Sequence, residues 1–488
     1  MNITMKNIVR LIGVIIFVTG LAIFPSLITA FIYHEMKSAV CFGATMGICI
    51  LPGLIIMKAL PAESFKMHQR DSYLYVTLTW FIVSLVAAVP LTASGAIPHY
   101  YDAFFEMCSG FSTTGSTILS NVEALPKSML FWRSFTHWLG GMGIIVFTAA
   151  IMPNLGISGQ SIAEAEAPGP TMDKLTARYT DTAKNLYLLY FGITIAETIL
   201  LMLGGMNLYD ALVQTFGTVG TGGFSNYGDS IAHFTSPYIQ WVIIIFMLMC
   251  GTNFNLYFGI PKYGPKALLK DSEFRLYMAV VLATTAGITI NLIACGIIKS
   301  PFKSLTAAAF QVSSLITTTG YATKNYDLWP TFSKMMLMIT FLTGACASST
   351  GGGPKIIRVL VALKMIRRSI ALKIHPSRVY TIKVNGKPVE REVLTNISNF
   401  IFFYIAVLFI GCIIVGLNGY DVMTTFSSVL TCLGNVGPGF NKVGPIYNFG
   451  FFAPWAKIVL SVLMIAGRLE LFTVLTLLSP RYWNSNKN

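Results

Sequence analysis

Apolar and polar positions along this chain segregate on the scale of a bilayer rather than of a single helix face. Apolar windows with few charges run at roughly 8–33, 38–58, 72–96, 128–152, 184–206, 238–260, 276–298, 332–365, 394–417 and 454–478. Each reaches or exceeds the length that crosses a hydrocarbon core as a helix. The pattern predicts ten membrane-spanning helices. Four further apolar stretches, near 101–115, 208–223, 303–320 and 419–437, are shorter and interrupted by Gly, Ser and Thr. Segments of that kind suit helices that enter a membrane and turn back.

After residue 70 the chain reads four times over as helix, short helix, glycine-bearing loop, helix. The loops are YYDAFFEMCSGFSTTGST, LYDALVQTFGTVGTGGFS, FKSLTAAAFQVSSLITTTGYAT and GYDVMTTFSSVLTCLGNVGPGF. Asp102 to Gly115 and Asp210 to Gly223 are both 13 residues; Ser304 to Gly320 and Asp421 to Gly437 are both 16. This spacing makes Gly223, not Gly220, the equivalent glycine of the second loop. It also offers Asp102, Asp210, Ser304 and Asp421 as N-caps of the short helices. The division that follows is two N-terminal helices (1–70) and four repeats, 71–160, 161–262, 263–370 and 371–488.

Non-helical backbone at membrane depth is tolerated only where it is buried or lines a watery path. Carbonyl oxygens on such loops can replace the hydration shell of a cation. The C-terminal ends of four short helices aimed at one place add negative partial charge there. Glycine lets the backbone take up the required conformation without a Cβ clash.

Composition narrows the class. Of 488 residues, 54% are hydrophobic and 11% charged, with a mean hydropathy of +0.66. Soluble domains carry about 25% charged residues, so a cytosolic enzyme is excluded. The net charge of +14 could suggest nucleic acid, but the basic residues fall mainly between the apolar segments. With the N-terminus inside, 24 Lys and Arg lie on the inner side and nine on the outer, with Arg468 inside a helix. That asymmetry is the positive-inside pattern, and it expects both termini in the cytoplasm. Segment 207–239 holds no Lys or Arg, as suits an outer mouth for cations. The apolar run after MNITMKNIVR continues past Ile32 without a small-residue cleavage site, so it reads as a retained helix. Eight cysteines sit in or beside apolar stretches with no metal or redox spacing, and the six histidines form no ligand cluster.

The segment TGACASSTGGGPK (343–355) breaks an otherwise long helix. Gly344, Gly351, Gly352, Gly353 and Pro354 make a continuous helix costly, at about 1 kcal/mol per Gly and about 3 for Pro. Unwound backbone there would either obstruct an ion path or form a static kink. It is not a nucleotide loop, since Ile356 follows Lys355. Arg468 is expected in the middle of the last helix, facing the pore or a partner, with Glu470 turned away from it. Glu197 reads as a buried structural pair, an interfacial snorkelling side chain or a coupling-ion site, and Glu106 is open in the same way. Glu197 and Glu470 are isolated, so no catalytic constellation is formed and an enzyme is not expected. Four parallel units also argue against an inverted-repeat transporter.

With STTGS (112–116), TGGFS (221–225), TTTGYAT (317–323), GNVGPGF (434–440), SSTGGGPK (348–355) and GRLELFT (467–473), the chain resembles the Trk/Ktr/HKT superfamily of potassium transporters. Two extra N-terminal helices resemble its TrkH branch rather than the KtrB branch. The resemblance implies an all-α polytopic fold, with four membrane helix–pore loop–membrane helix repeats around a pseudo-fourfold pore. It implies potassium as the bound ion and no organic cofactor. The ligands would be backbone carbonyls of Thr113, Thr114 and Gly115; Thr221, Gly222 and Gly223; Thr318, Thr319 and Gly320; and Asn435, Val436 and Gly437. Glycine at all four filter positions goes with preference for potassium over sodium. Pro438, lacking an N–H, sets the fourth loop apart. The gate would comprise Gly344, Ala345, Ser348, Ser349, Thr350, Gly351, Gly352, Gly353 and Lys355, with Arg468 beside it. The family further implies a plasma (inner) membrane homodimer above a TrkA-type nucleotide-binding ring, contacted partly by the basic stretch 364–392. A sodium-dependent KtrB-like system and a proton-coupled symporter are the alternatives.

Overall fold

The computed structural model describes residues 3–60, 69–143, 179–377 and 379–483. Two passes come first. α1 (Ile3–Ala22) and α2 (Phe24–Ile32) form one span broken at Ile23, and α3 (Met36–Ala59) returns against it. α1 and α3 approach closely through small residues: a Cβ on Gly53 would lie 2.8 Å from Phe17 Cβ. Such contacts substitute for a hydrophobic driving force that lipid does not provide.

Four units follow. The first holds α4 (Gln69–Ala93), α5 (Tyr100–Phe111) and α6 (Lys127–Gly141). The second holds α7 (Tyr179–Leu203), α8 (Leu208–Val219) and α9 (Pro237–Cys250). In the third, α10 (Ser272–Ala294), α11 (Pro301–Ile316) and α12 (Thr331–Thr343) lead through an irregular segment into α13 (Ile356–Ile374). The fourth holds α14 (Arg391–Gly416), α15 (Val422–Leu433), α16 (Pro454–Arg468) and α17 (Phe472–Leu478). A hairpin of β1 (Lys383–Val384) and β2 (Lys387–Pro388) joins the last two units and is the one sheet among the described residues. The chain is thus an all-α polytopic membrane protein of two leading passes and four like units. The boundary expected at 160 lies outside the described residues.

Burial sorts the helices by role. The long first helix of each unit shows apolar side chains outward, such as Leu188 on α7 and Phe402 on α14, 73% and 70% exposed. In lipid such a surface is solvated rather than strained. The short helices are the reverse: every residue of α5 from Ala103 to Phe111 is buried. The core is therefore built around α5, α8, α11 and α15. Their hydroxyls bond back to their own helix, as Thr218 Oγ1 does to Gln214 O at 3.0 Å.

The second helices depart from the expected windows. α6, α9, α12 and α16 have 15, 14, 13 and 15 residues, roughly 20 Å at 1.5 Å per residue, short of a ~30 Å core. Only the break at 343–355 was legible in sequence. The spans expected at 238–260 and 454–478 are interrupted after Cys250 and after Arg468, and that expected at 128–152 leaves its helix at Gly141, with the rest beyond 143 outside the described residues. α16 and α17 meet at 119°, with Glu470 and Leu471 both left-handed at φ 57 and 56. Arg468 is accordingly the last residue of a helix, not its middle. Leucines on both sides of the bend keep the hydropathy smooth, which hides it from sequence.

The caps also differ. Only Asp421 caps its helix, accepting from Thr424 N at 2.9 Å. Asn207 caps α8, with Asp210 inside the first turn, and His99 and Ser300 occupy the cap positions of α5 and α11. Asp102 instead pairs with Lys457 of α16 at 2.6 Å, tying the fourth unit to the first.

Candidate functional site

Each short helix ends four residues before a glycine: Phe111 and Gly115, Val219 and Gly223, Ile316 and Gly320, Leu433 and Gly437. The loops then follow one conformation. Thr113, Thr221, Thr318 and Asn435 are left-handed, at φ 55, 53, 59 and 53. The glycines two residues on are left-handed as well, at φ 81, 78, 82 and 94. Gly220 is right-handed, at φ −72, so the second loop aligns through Gly223. Between each pair lies a residue whose N–H bonds five residues back into its helix. Thr114 donates to Ser109 O, Gly222 to Gly217 O, Thr319 to Ser314 O and Val436 to Thr431 O, all at 2.8 or 2.9 Å. Three of the four left-handed positions that precede these residues carry threonine. A left-handed β-branched residue is strained, and the strain is held by this hydrogen-bonded frame.

The loops close on one another. A Cβ placed on Gly115 would collide with the Gly222 carbonyl, one on Gly223 with the Thr319 carbonyl, and one on Gly320 with the Val436 carbonyl. One on Gly437 would come within 2.6 Å of the Thr114 carbonyl. The order is first to second, second to third, third to fourth and fourth back to first, which is a closed ring. The four central carbonyls are thus packed edge to edge, and glycine is required at each contact because any Cβ would fill the space. Asn435 adds a side-chain tie, donating from Nδ2 to Thr114 Oγ1 at 3.0 Å and to Met464 O at 2.8 Å. Pro438 packs at the Gly320 position, 2.8 Å from a Cβ placed there. On one side of the ring a cavity of about 110 Å³ is lined by all four glycines and by Arg133.

The segment 344–355 lies against the other side. Gly352 N donates to Thr318 Oγ1 at 2.6 Å. A Cβ on Gly351 would lie 2.9 Å from Thr317 O, and one on Gly352 2.9 Å from Gly434 O. Small residues are what let this backbone reach the ends of α11 and α15. The same segment explains the early end of α9, whose last carbonyls turn to it rather than to more helix. Cys250 O accepts from Thr350 N at 3.3 Å, and Gly251 O accepts from Cys346 N at 3.0 Å. Lys355, left-handed at φ 70 and buried, donates Nζ to Gly351 O.

Arg468 crosses to both neighbours. It donates to Thr350 O at 2.8 Å and to the last carbonyls of α6, Gly140 O at 2.6 Å and Gly141 O at 2.8 Å. Helix C-termini favour a cation, so one guanidinium joins the fourth unit, the first unit and the irregular segment. Glu470, freed by the bend, pairs with Arg358 of α13.

Several side chains here escaped the sequence reading. Arg133 and Lys457, two of the nine charges counted on the outer side and both within expected spans, are buried in ion pairs. Glu106 receives Arg133 Nε at 2.8 Å and Nη2 at 2.6 Å, together with Thr117 Oγ1 at 2.9 Å and Ile118 N at 3.0 Å. That pair fixes the chain just beyond the first glycine. His137, in the middle of α6, bonds Gly110 O through Nδ1 at 2.7 Å and packs on Phe224. A buried Arg demands a buried carboxylate, so Glu106 and Arg133 could have been matched in sequence; His137 carried no such signal. Glu197 is fully buried on α7 and takes no part in the ring. Among the described residues no cluster of His, Cys, Asp or Glu suits a metal.

Comparison with known proteins agrees with this architecture. Residues 42–485 match the TrkH family, a cation transport protein. The chain is 36% identical to the Trk system potassium uptake protein TrkH of Salmonella typhimurium, over 98% of this chain and 99% of that one. It is 32% identical to the Trk system potassium uptake protein TrkG of Escherichia coli, over the same shares. The crystal structure of the potassium transporter TrkH from Vibrio parahaemolyticus superposes with a TM-score of 0.88 at 33% identity, covering 98% of this chain and 99% of that one. The chain belongs to the TrkH family of cation transport proteins.

Proposed function

We propose that this chain is the membrane subunit of a bacterial potassium-uptake system of the plasma membrane, passing potassium through the ring of four non-identical loops. The observation that carries the reading is the closed ring itself, in which four glycines each seat against the next loop's carbonyl. Carbonyls held edge to edge at the ends of four convergent helices are a ligand set for a dehydrated cation. The ligands are the carbonyls of Thr113, Thr114 and Gly115, Thr221, Gly222 and Gly223, Thr318, Thr319 and Gly320, and Asn435, Val436 and Gly437. Potassium is favoured as cargo because relatives of near-full coverage are named for its uptake and because all four filter positions are glycine.

The segment 344–355 is the gate, pinned shut by Arg468. A loop without helical bonds, held by a few contacts from three units, can leave its place without unfolding a helix. The chain acts as a homodimer, with both termini in the cytoplasm and a TrkA-type ring on its basic inner face. Arg133 and Lys457, two of the nine outer-side cations, are buried in ion pairs, which sharpens the charge asymmetry. Rubidium uptake into proteoliposomes holding the purified chain tests the reading, with potassium or sodium as competitor. Competition by potassium alone is expected, and deletion of 344–353 should raise basal flux. No flux from either protein would refute it.

A further inference from the structure

One buried carboxyl beside the gate has no role so far. Glu273, second residue of α10, is 5% exposed, and its Oε1 accepts the N–H of Ala347 at 2.6 Å. A loop of small residues offers few side chains to hold, so an acceptor on its backbone fixes its position directly. The start of α10 is itself held from outside. Asp271 caps it by accepting from Phe274 N at 2.8 Å. Asn385 grips the same turn with both ends of its amide: Nδ2 donates to Asp271 Oδ2 at 2.6 Å, and Oδ1 accepts from Ser272 N at 2.7 Å.

Asn385 stands at the tip of the β1–β2 hairpin. Asn385 and Gly386 are both left-handed, at φ 51 and 80, as a two-residue turn with the native strand twist requires. Lys364 of α13 braces the hairpin by donating to Lys383 O at 2.6 Å. A second, apolar route runs beside the polar one. Ile382 and Val384 of the hairpin, Ile357 and Val361 of α13, and Ala347 of the gate share one buried cluster with Leu394 and Ile397. The hairpin therefore reaches Ala347 through its backbone N–H and through its methyl group.

We propose that Glu273 is the latch holding the gating segment closed, and that hairpin 382–389 is the handle through which a cytosolic protein partner releases it. The proposal rests on reading 344–355 as a gate. Exposed Lys383 and Lys387 on the handle, and exposed Arg367 one turn from its brace Lys364 on α13, suit an acidic surface on that partner. Pulling the hairpin tip loosens the first turn of α10, and with it the acceptor for Ala347.

The test is rubidium flux through the purified chain with Glu273→Ala, Asn385→Ala, both together, and the 344–353 deletion. Glu273→Ala should raise basal flux about tenfold, the loss of one buried hydrogen bond to a carboxyl group. Asn385→Ala should raise it less, and the double variant no more than Glu273→Ala alone, because the two act in series. Glu273→Gln, which keeps an acceptor oxygen, should restore low flux, and potassium-over-sodium competition should stay as in the parent. Asn385 is exposed, so its variant decides the matter even if Glu273→Ala does not fold. If the deletion raises flux while both substitutions leave it at the parent level, the latch is wrong and the gate stands. If the deletion is silent too, the gate falls and the latch with it.

Discussion

Gly115→Ala is the sharpest perturbation of the ring. At φ 81 any side chain costs about 1–2 kcal/mol from backbone strain alone. The new Cβ also overlaps the Gly222 carbonyl oxygen, and the next atoms in reach are backbone too: Gly222 C at 3.2 Å and Gly223 Cα at 3.8 Å. No flexible side chain can give way, so the carbonyl must retreat by about 1.4 Å to regain van der Waals contact. That carbonyl is a proposed ligand, and Gly223 beside it already seats against the Thr319 carbonyl, so the shift passes round the ring. A ligand displaced this far should lower the preference for potassium over sodium at least about tenfold, or about 1.4 kcal/mol. The assay is rubidium uptake into proteoliposomes with each ion as competitor. Gly115→Ser should do the same, since the Cβ acts rather than the hydroxyl. Gly47→Ala on α3, where a Cβ meets nothing within 4 Å, should leave competition unchanged. An unchanged ratio in folded Gly115→Ala, or an effect of Ser without one of Ala, would refute the steric argument.

Arg468→Ala should raise basal flux, because it leaves the carbonyls of Thr350, Gly140 and Gly141 without their shared donor. Arg468→Lys should not restore closure, since a single ammonium cannot span the three as a guanidinium fork does; flux equal to the parent in both would remove Arg468 from the gate. Arg133→Ala should cost about 3–5 kcal/mol by leaving Glu106 buried and unpaired, read as a lower melting temperature in detergent. The pair Glu106→Gln with Arg133→Met should recover much of that loss, and a single variant as stable as the parent would show that the ion pair is not needed.

The sequence alone determined the parts whose cause is local. Long apolar runs become helices because lipid satisfies no backbone group. Glycine recurs at fixed spacing because each loop repeats one left-handed turn, and the matched spacing was enough to choose Gly223 over Gly220. The cluster of Gly344, Gly351, Gly352, Gly353 and Pro354 marked its own break for the same local reason. Tertiary structure decided what depends on contacts between units. α9 and α16 end where carbonyls find partners on the irregular segment 344–355 or the chain bends to meet α13, so hydropathy across Leu469 and Leu471 gave no warning. Arg133 and Lys457 read as unpaired charges near the outer ends of expected spans until the fold set them against Glu106 and Asp102. Glu273 is one more charge near a helix end in the sequence. Only the fold brings Ala347 to one side of it and Asn385 to the other, because those three residues come from segments that meet through the packing of α10, α13 and α14.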